Sequence, residues 1–170
     1  MKSFHVAQAL GEEMIKPWMV IGGVTLLVAL GSSLFRPRDI PWVIHLERPK
    51  WLFFEPAIPF IWTLIYTCGA ISATLAWEKD PGSLRTWSLM VGYLFVEIVT
   101  TAYIPATLRS RSLTVGTVLG GLGVVSGVLL LLTVLPISGT AALLLLPYVV
   151  WTPIGTYTTS KMIDLNPDAV

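Results

Sequence analysis

The chain has 170 residues, of which 54% are hydrophobic and 12% charged, with a net charge of +1 and a mean hydropathy of +0.74. That composition leaves too little polar surface to cover a water-soluble globule of this length, so the chain belongs in a bilayer. The small net charge, with no Lys/Arg-rich run, excludes a nucleic-acid partner, and the lone Cys68 excludes an internal disulfide or a cysteine-based metal cluster.

Residues 1–16 are mixed, with Glu12, Glu13 and Lys16, and predict an interfacial tail ahead of Pro17, whose fixed φ suits a first helical turn. The first apolar run covers 17–35 and is broken off by Arg36, Pro37, Arg38 and Asp39. Ala29-Leu30-Gly31 imitates a signal-peptide cleavage site, but the run is long for such a segment and two glutamates precede it, so it reads as a span. A second span, 58–77, closes on the turn-forming and charged run Glu78 to Gly82. The third, 87–108, stops before Arg109 and Arg111. The fourth, 113–135, and the fifth, 141–162, are joined by the tight connection Pro136 to Gly139.

Each span holds about 18 to 23 residues. At 1.5 Å per residue that crosses a hydrocarbon layer of about 30 Å. The expected fold is therefore all-α, a five-transmembrane-helix bundle over residues 17–170 that leaves the chain ends on opposite sides. Lys and Arg number four on the side of the N-terminal tail and seven on the other. The positive-inside rule then puts the long first loop and the C-terminus in the cytoplasm. Pro56, Pro59, Pro105 and Pro153 are the expected bends, because non-helical backbone in a membrane must lie against protein or at an interface.

Two patterns on these helices stand out. Trp62, Tyr66, Gly69, Ala73 and Trp77 recur at spacings of three and four, so rings and small residues share one face, fit for a flat apolar ligand or for a neighbouring helix. Gly116, Gly120, Gly123 and Gly127 likewise share a face of the fourth span, where another backbone approaches closely, within the chain or in a homodimer.

The stretch from Trp42 to Tyr66 resembles the TspO/MBR family, the tryptophan-rich sensory or translocator proteins. The family pattern is roughly W-Y-x-x-L-x-K-P-x-W-x-P-P-x-W followed by a second-helix W-x-x-x-Y, and Trp42, Leu46, Arg48, Pro49, Trp51, Trp62 and Tyr66 match it without a gap. Val43, Phe53, Phe54 and Pro56 depart from it. Leu145 to Trp151 resembles the last-helix P-Y-x-x-W, and the likeness covers roughly three quarters of the chain. The third helix departs most, with VEIVTTAYIP where the family usually carries an Asn and a W-S-P-like run.

The resemblance implies a porphyrin- or haem-binding membrane protein that senses or regulates tetrapyrrole handling under stress, with transport of a porphyrin or another amphipathic ligand, or light-dependent porphyrin breakdown, as alternatives. It implies a pocket lined by Trp62 and Trp151 beneath the first loop, and a tendency to dimerise. Indoles suit that task because they offer a flat face and one N–H donor. Tyr66 and Tyr148 add rings with polar tips, and Trp51 and Arg48 join them, the latter facing a propionate or a lipid phosphate. Glu97 enters the candidate ligand-binding set on its own chemistry, as a polar contact to ligand or a proton-linked site.

Glu97 is mid-span, where an ionised carboxylate costs about 2.5–3.5 kcal/mol. It must be protonated, paired or wetted, and Tyr93 and Thr101, four residues to either side, are its expected partners. His45 is a weak candidate for axial haem ligation, since a lone interfacial histidine seldom ligates. No hydrolase elbow, phosphate loop, metal-ligand pair or Ser/His/Asp set can be assembled, so no catalytic residue, metal site or required cofactor is expected.

Overall fold

A computed structural model of the protein describes residues 16–34 and 36–170, and these are helical without strands. The tail expected over residues 1–16 lies, Lys16 apart, outside the described residues. Helix α1 spans Pro17–Leu30 and runs on into a 3₁₀ turn, Gly31–Ser33. A second 3₁₀ turn, Pro37–Asp39, leads into the short α2, Ile40–His45. The four long helices are α3, Ile58–Trp77, α4, Leu84–Ser110, α5, Leu113–Val134, and α6, Gly139–Leu165. A last turn, Pro167–Ala169, follows.

The starts of α4, α5 and α6 are set by serine caps. Ser83, Ser112 and Ser138 each accept a hydrogen bond from the backbone N–H three residues on, satisfying a donor that the helix leaves open. Helix α4 ends where Arg111 adopts a left-handed conformation, φ 51°, and the chain turns at once into α5. The prolines act less as breaks than expected. Pro56 lies in the 3₁₀ turn Glu55–Ala57 and Pro59 in the first turn of α3, but α4 continues through Pro105, and α6 through Pro147 and Pro153.

Helices α3 to α6 are each long and apolar enough to cross a bilayer; α1 needs a separate argument, because it is shorter and meets the α2 segment at 54°. Thr25 hydrogen-bonds Glu97, and further on the Arg109 side chain donates to the Leu34 carbonyl. Gly31 lies against Thr101 between those two contacts. The contacts run in step along α1 and α4, so α1 lies parallel to α4 through the same depth and makes the fifth crossing. Four crossings, α3 to α6, separate the first loop from the C-terminal turn, which brings both to one end. The Asn166 side-chain amide accepts from Glu47 N–H at 2.8 Å and donates to Glu47 C=O at 3.0 Å, which fastens the first loop and the C-terminal turn at one end of the bundle.

The opposite end is closed by a buried polar knot. Tyr93 Oη and Ser72 Oγ are 2.6 Å apart, and the serine donates to the Ala141 carbonyl at 2.7 Å, tying α3, α4 and α6. Trp77 and Trp87 meet edge-to-face beside it, ring centroids 5.0 Å apart.

Within the chain, the glycine face of α5 is filled by its neighbours. A Cβ on Gly116 would sit 2.8 Å from Thr107 Oγ1, one on Gly120 would strike Thr156, and those on Gly123 and Gly127 would meet the Tyr148 ring system. All four glycines are buried. The stripe is a helix-packing face, and a second copy of the chain has no access to it in this fold.

Gly127→Ala is expected to lower thermal stability in detergent by about 1–3 kcal/mol, because its Cβ would press into the Tyr148 ring. Gly121, with nothing within 4 Å of its Cβ position, provides the contrast: Gly121→Ala should be neutral or stabilising by up to about 1 kcal/mol through helix propensity. Equal melting temperatures for the two variants would contradict the packing described.

Candidate functional site: an aromatic cavity between the helices

Helices α1, α3, α4 and α6 do not close on each other along their whole length. Between them lies a cavity of about 1370 Å³, roofed by the first loop. It follows α3 from Ile58 at the loop end to Glu78 at the other, where Trp18 of α1 also borders it. Thr63, Thr67, Ala70 and Thr74 line it, whereas Gly69, Ala73 and Trp77 do not. The face expected from the Trp62-to-Trp77 spacing therefore splits. Its first two rings reach the cavity, Ala73 enters the core, and Trp77 packs on Trp87.

Four of the expected rings gather at the loop end. Trp62 and Tyr66 come from α3, Tyr148 and Trp151 from α6, and all four line the cavity. Trp62 stands 6.1 Å from Tyr66 and, edge-on, 6.5 Å from Tyr148. Phe54 of the first loop is edge-on to Trp151 at 6.0 Å and completes the wall. The tyrosine hydroxyls are anchored. Tyr66 Oη pairs with Thr101 Oγ1 at 2.9 Å, and Tyr148 Oη donates to the Gly123 carbonyl at 3.2 Å and lies 3.0 Å from Thr100 Oγ1. With their polar tips held in the helices, these residues turn ring surface toward the space.

Arg48 borders the cavity at its mouth but is committed to the loop itself. Its Nε lies 3.0 Å from both oxygens of Glu55, its Nη1 donates to the Leu46 carbonyl at 3.0 Å and its Nη2 to the Val43 carbonyl at 3.4 Å.

Residues 20–164 match the family model described as the TspO/MBR family. The chain belongs to the TspO/MBR family. It is 26% identical over 137 residues to the tryptophan-rich protein TspO of Bacillus cereus, an alignment covering 79% of this chain and 87% of that one. It is 23% identical over 146 residues to the uncharacterized membrane protein YtaB of Bacillus subtilis, covering 84% and 92% respectively. Membership agrees with the all-helical, multi-pass architecture.

Two expected site residues of this TspO/MBR protein, and the weak haem-ligand candidate His45, do not reach the cavity. Trp51 lies outside it, stacked on Tyr157 with ring centroids 6.1 Å apart. Glu97 sits behind the wall, where its Oε1 accepts a hydrogen bond from Thr25 Oγ1 at 2.6 Å. Tyr93 and Thr101, its expected partners, are engaged elsewhere, with Ser72 and Tyr66. The carboxylate therefore bridges helices α4 and α1, a long-range pairing that no local spacing rule reveals. His45 lines a separate pocket of about 610 Å³ on the outer side of α2, away from the cavity. No histidine or cysteine is among the described residues that line the aromatic cavity, and no group of three or more potential metal ligands occurs among the described residues.

Phe54 and the threonines of α3, α4 and α6 are among the cavity residues that sequence reasoning missed. Phe54 stood out only as a departure from the family prolines, and threonines in apolar helices resemble ordinary back-bonding residues.

A double-mutant cycle on Thr25→Val and Glu97→Gln should give a coupling of about 0.6–1.7 kcal/mol in detergent unfolding, the range of interhelical hydrogen bonds in membranes. Strict additivity would show that the pair does not hold α1 to α4.

Proposed function

We propose that this protein binds a planar tetrapyrrole, a porphyrin or a haem, in the aromatic cavity and acts as a membrane sensor or regulator of tetrapyrrole handling. The observation that carries the reading is the convergence of Trp62, Tyr66, Tyr148 and Trp151 on one end of a cavity of about 1370 Å³. Ligand pockets commonly measure about 300–1,000 Å³, so the space is ample for a large flat ligand. Rings held rigidly with their hydroxyls tied back can stack on or edge against a pigment at little cost in conformational entropy. Family membership supports the assignment, and so does the first loop, which covers the rings and shields a bound ligand from water. Haem would rest on ring contacts and shape, with neither His45 nor Cys68 among the residues that line the cavity.

Transport is the second reading, favoured by the extent of the cavity. It follows α3 over its 20 residues. At 1.5 Å per residue that is about 30 Å, the thickness of the hydrocarbon layer. Uptake of the pigment into sealed vesicles that depends on the protein would favour this reading, and binding without uptake would favour the sensor. The C-terminus is assigned to the cytoplasm on the distribution of Lys and Arg; a reporter fused there and found on the far side would reverse that orientation.

Titration of the detergent-solubilised protein with protoporphyrin should quench its tryptophan emission saturably. Trp62→Phe combined with Trp151→Phe should weaken the apparent affinity by about tenfold, a loss of about 1.4 kcal/mol. Absence of saturable quenching, or an affinity unchanged in the double variant, would refute the site.

A further inference from the structure

Building on the tetrapyrrole reading, we infer that the cavity selects an uncharged planar ligand, such as a porphyrin whose carboxyl groups are esterified, over a free dicarboxylate. The lining carries the argument. Among the described residues it contains one cation, Arg48, and two carboxylates, Glu55 and Glu78, the rest of its polar groups being hydroxyls, indole N–H groups and backbone. Each nitrogen of the Arg48 guanidinium already makes one contact, Nε to Glu55 and the two terminal ones to main-chain carbonyls of the loop, which leaves two of its five N–H groups open. A ligand carboxylate arriving at the mouth would have to share Arg48 with Glu55, placing two negative groups beside one guanidinium. A second ligand carboxylate would find no further cation among the described residues of the lining.

The hydroxyls do not make up the deficit. Thr63, Thr67, Thr74, Thr152 and Thr156 each donate their single proton to the carbonyl four residues earlier on their own helix. What remains on those oxygens is lone-pair density, which accepts and does not donate. Apart from the indole N–H groups, the wall is short of donors, receptive to a pyrrole N–H and unfavourable to a carboxylate taken out of water. Binding in this site is therefore limited by ligand charge as well as by shape.

The test uses the full chain in lipid nanodiscs, with empty nanodiscs as the partition reference, and measures tryptophan quenching by protoporphyrin and by its dimethyl ester. The ester should bind about tenfold more tightly or better, a difference of about 1.4 kcal/mol. Glu55→Gln, which releases Arg48 and removes one negative charge at the mouth, should raise affinity for the diacid by more than for the ester and narrow the ratio severalfold. A diacid that binds as tightly as the ester, or a ratio that Glu55→Gln leaves unchanged, overturns this inference while the tetrapyrrole reading stands. Failure of both pigments to bind saturably overturns the reading and the inference together.

Discussion

Tyr148 seated in the glycine groove of α5 is the contact on which the rest of the architecture depends. Its ring lies against Gly127, its hydroxyl reaches the Gly123 carbonyl and Thr100, and its edge meets Trp62. One side chain thus joins α3, α4, α5 and α6. Lipid tails are as apolar as the side chains they surround, so hydrophobicity gives helices little reason to associate in a bilayer, and close backbone approach with interhelical hydrogen bonds takes its place. The glycines allow Tyr148 to sink into α5, and Trp151, less than one turn further along α6, is carried to the cavity side. The packing device and the aromatic wall are consecutive parts of one helix face.

Polar residues at membrane depth serve this bundle as fasteners. Ser72 with Tyr93 closes one end, Asn166 clasps the first loop at the other, and Thr25 with Glu97 holds α1 alongside α4 between them. Each joins elements that would otherwise meet only through apolar contact. The arrangement leaves the space between α1, α3, α4 and α6 unfilled, with the fasteners at its borders and both large rings and aliphatic side chains facing it.

Much of this was legible in the chain itself. Apolar run length fixed the four long helices to within a few residues, and the serine and proline signals explain where they begin. The two tryptophans, with Tyr66 and Tyr148, came from short motifs whose spacing survives in the fold, and they do converge. What was not legible depended on contacts between distant segments. The partner of Glu97 is 72 residues away in sequence, and Arg48 is engaged by Glu55 and by the loop carbonyls, so neither role follows from helical spacing. Trp51 shows the limit of a motif: its position matches the pattern, yet the loop directs its ring onto Tyr157 and away from the cavity. The glycine stripe is equally compatible, as a pattern, with a partner copy; in the fold it is filled by α6 along most of its length and by Thr107 of α4 at Gly116.

The central claim is that the space between Trp62 and Trp151 is where a planar ligand resides. The most direct measurement is an experimental structure of the protein saturated with a porphyrin. The account predicts the pigment beneath the first loop, in contact with both tryptophans, with Tyr148 still lodged against Gly127. A pigment found instead on the lipid-facing surface, for example against the exposed Trp87 beside Trp77, with the cavity collapsed or filled by side chains, would contradict it.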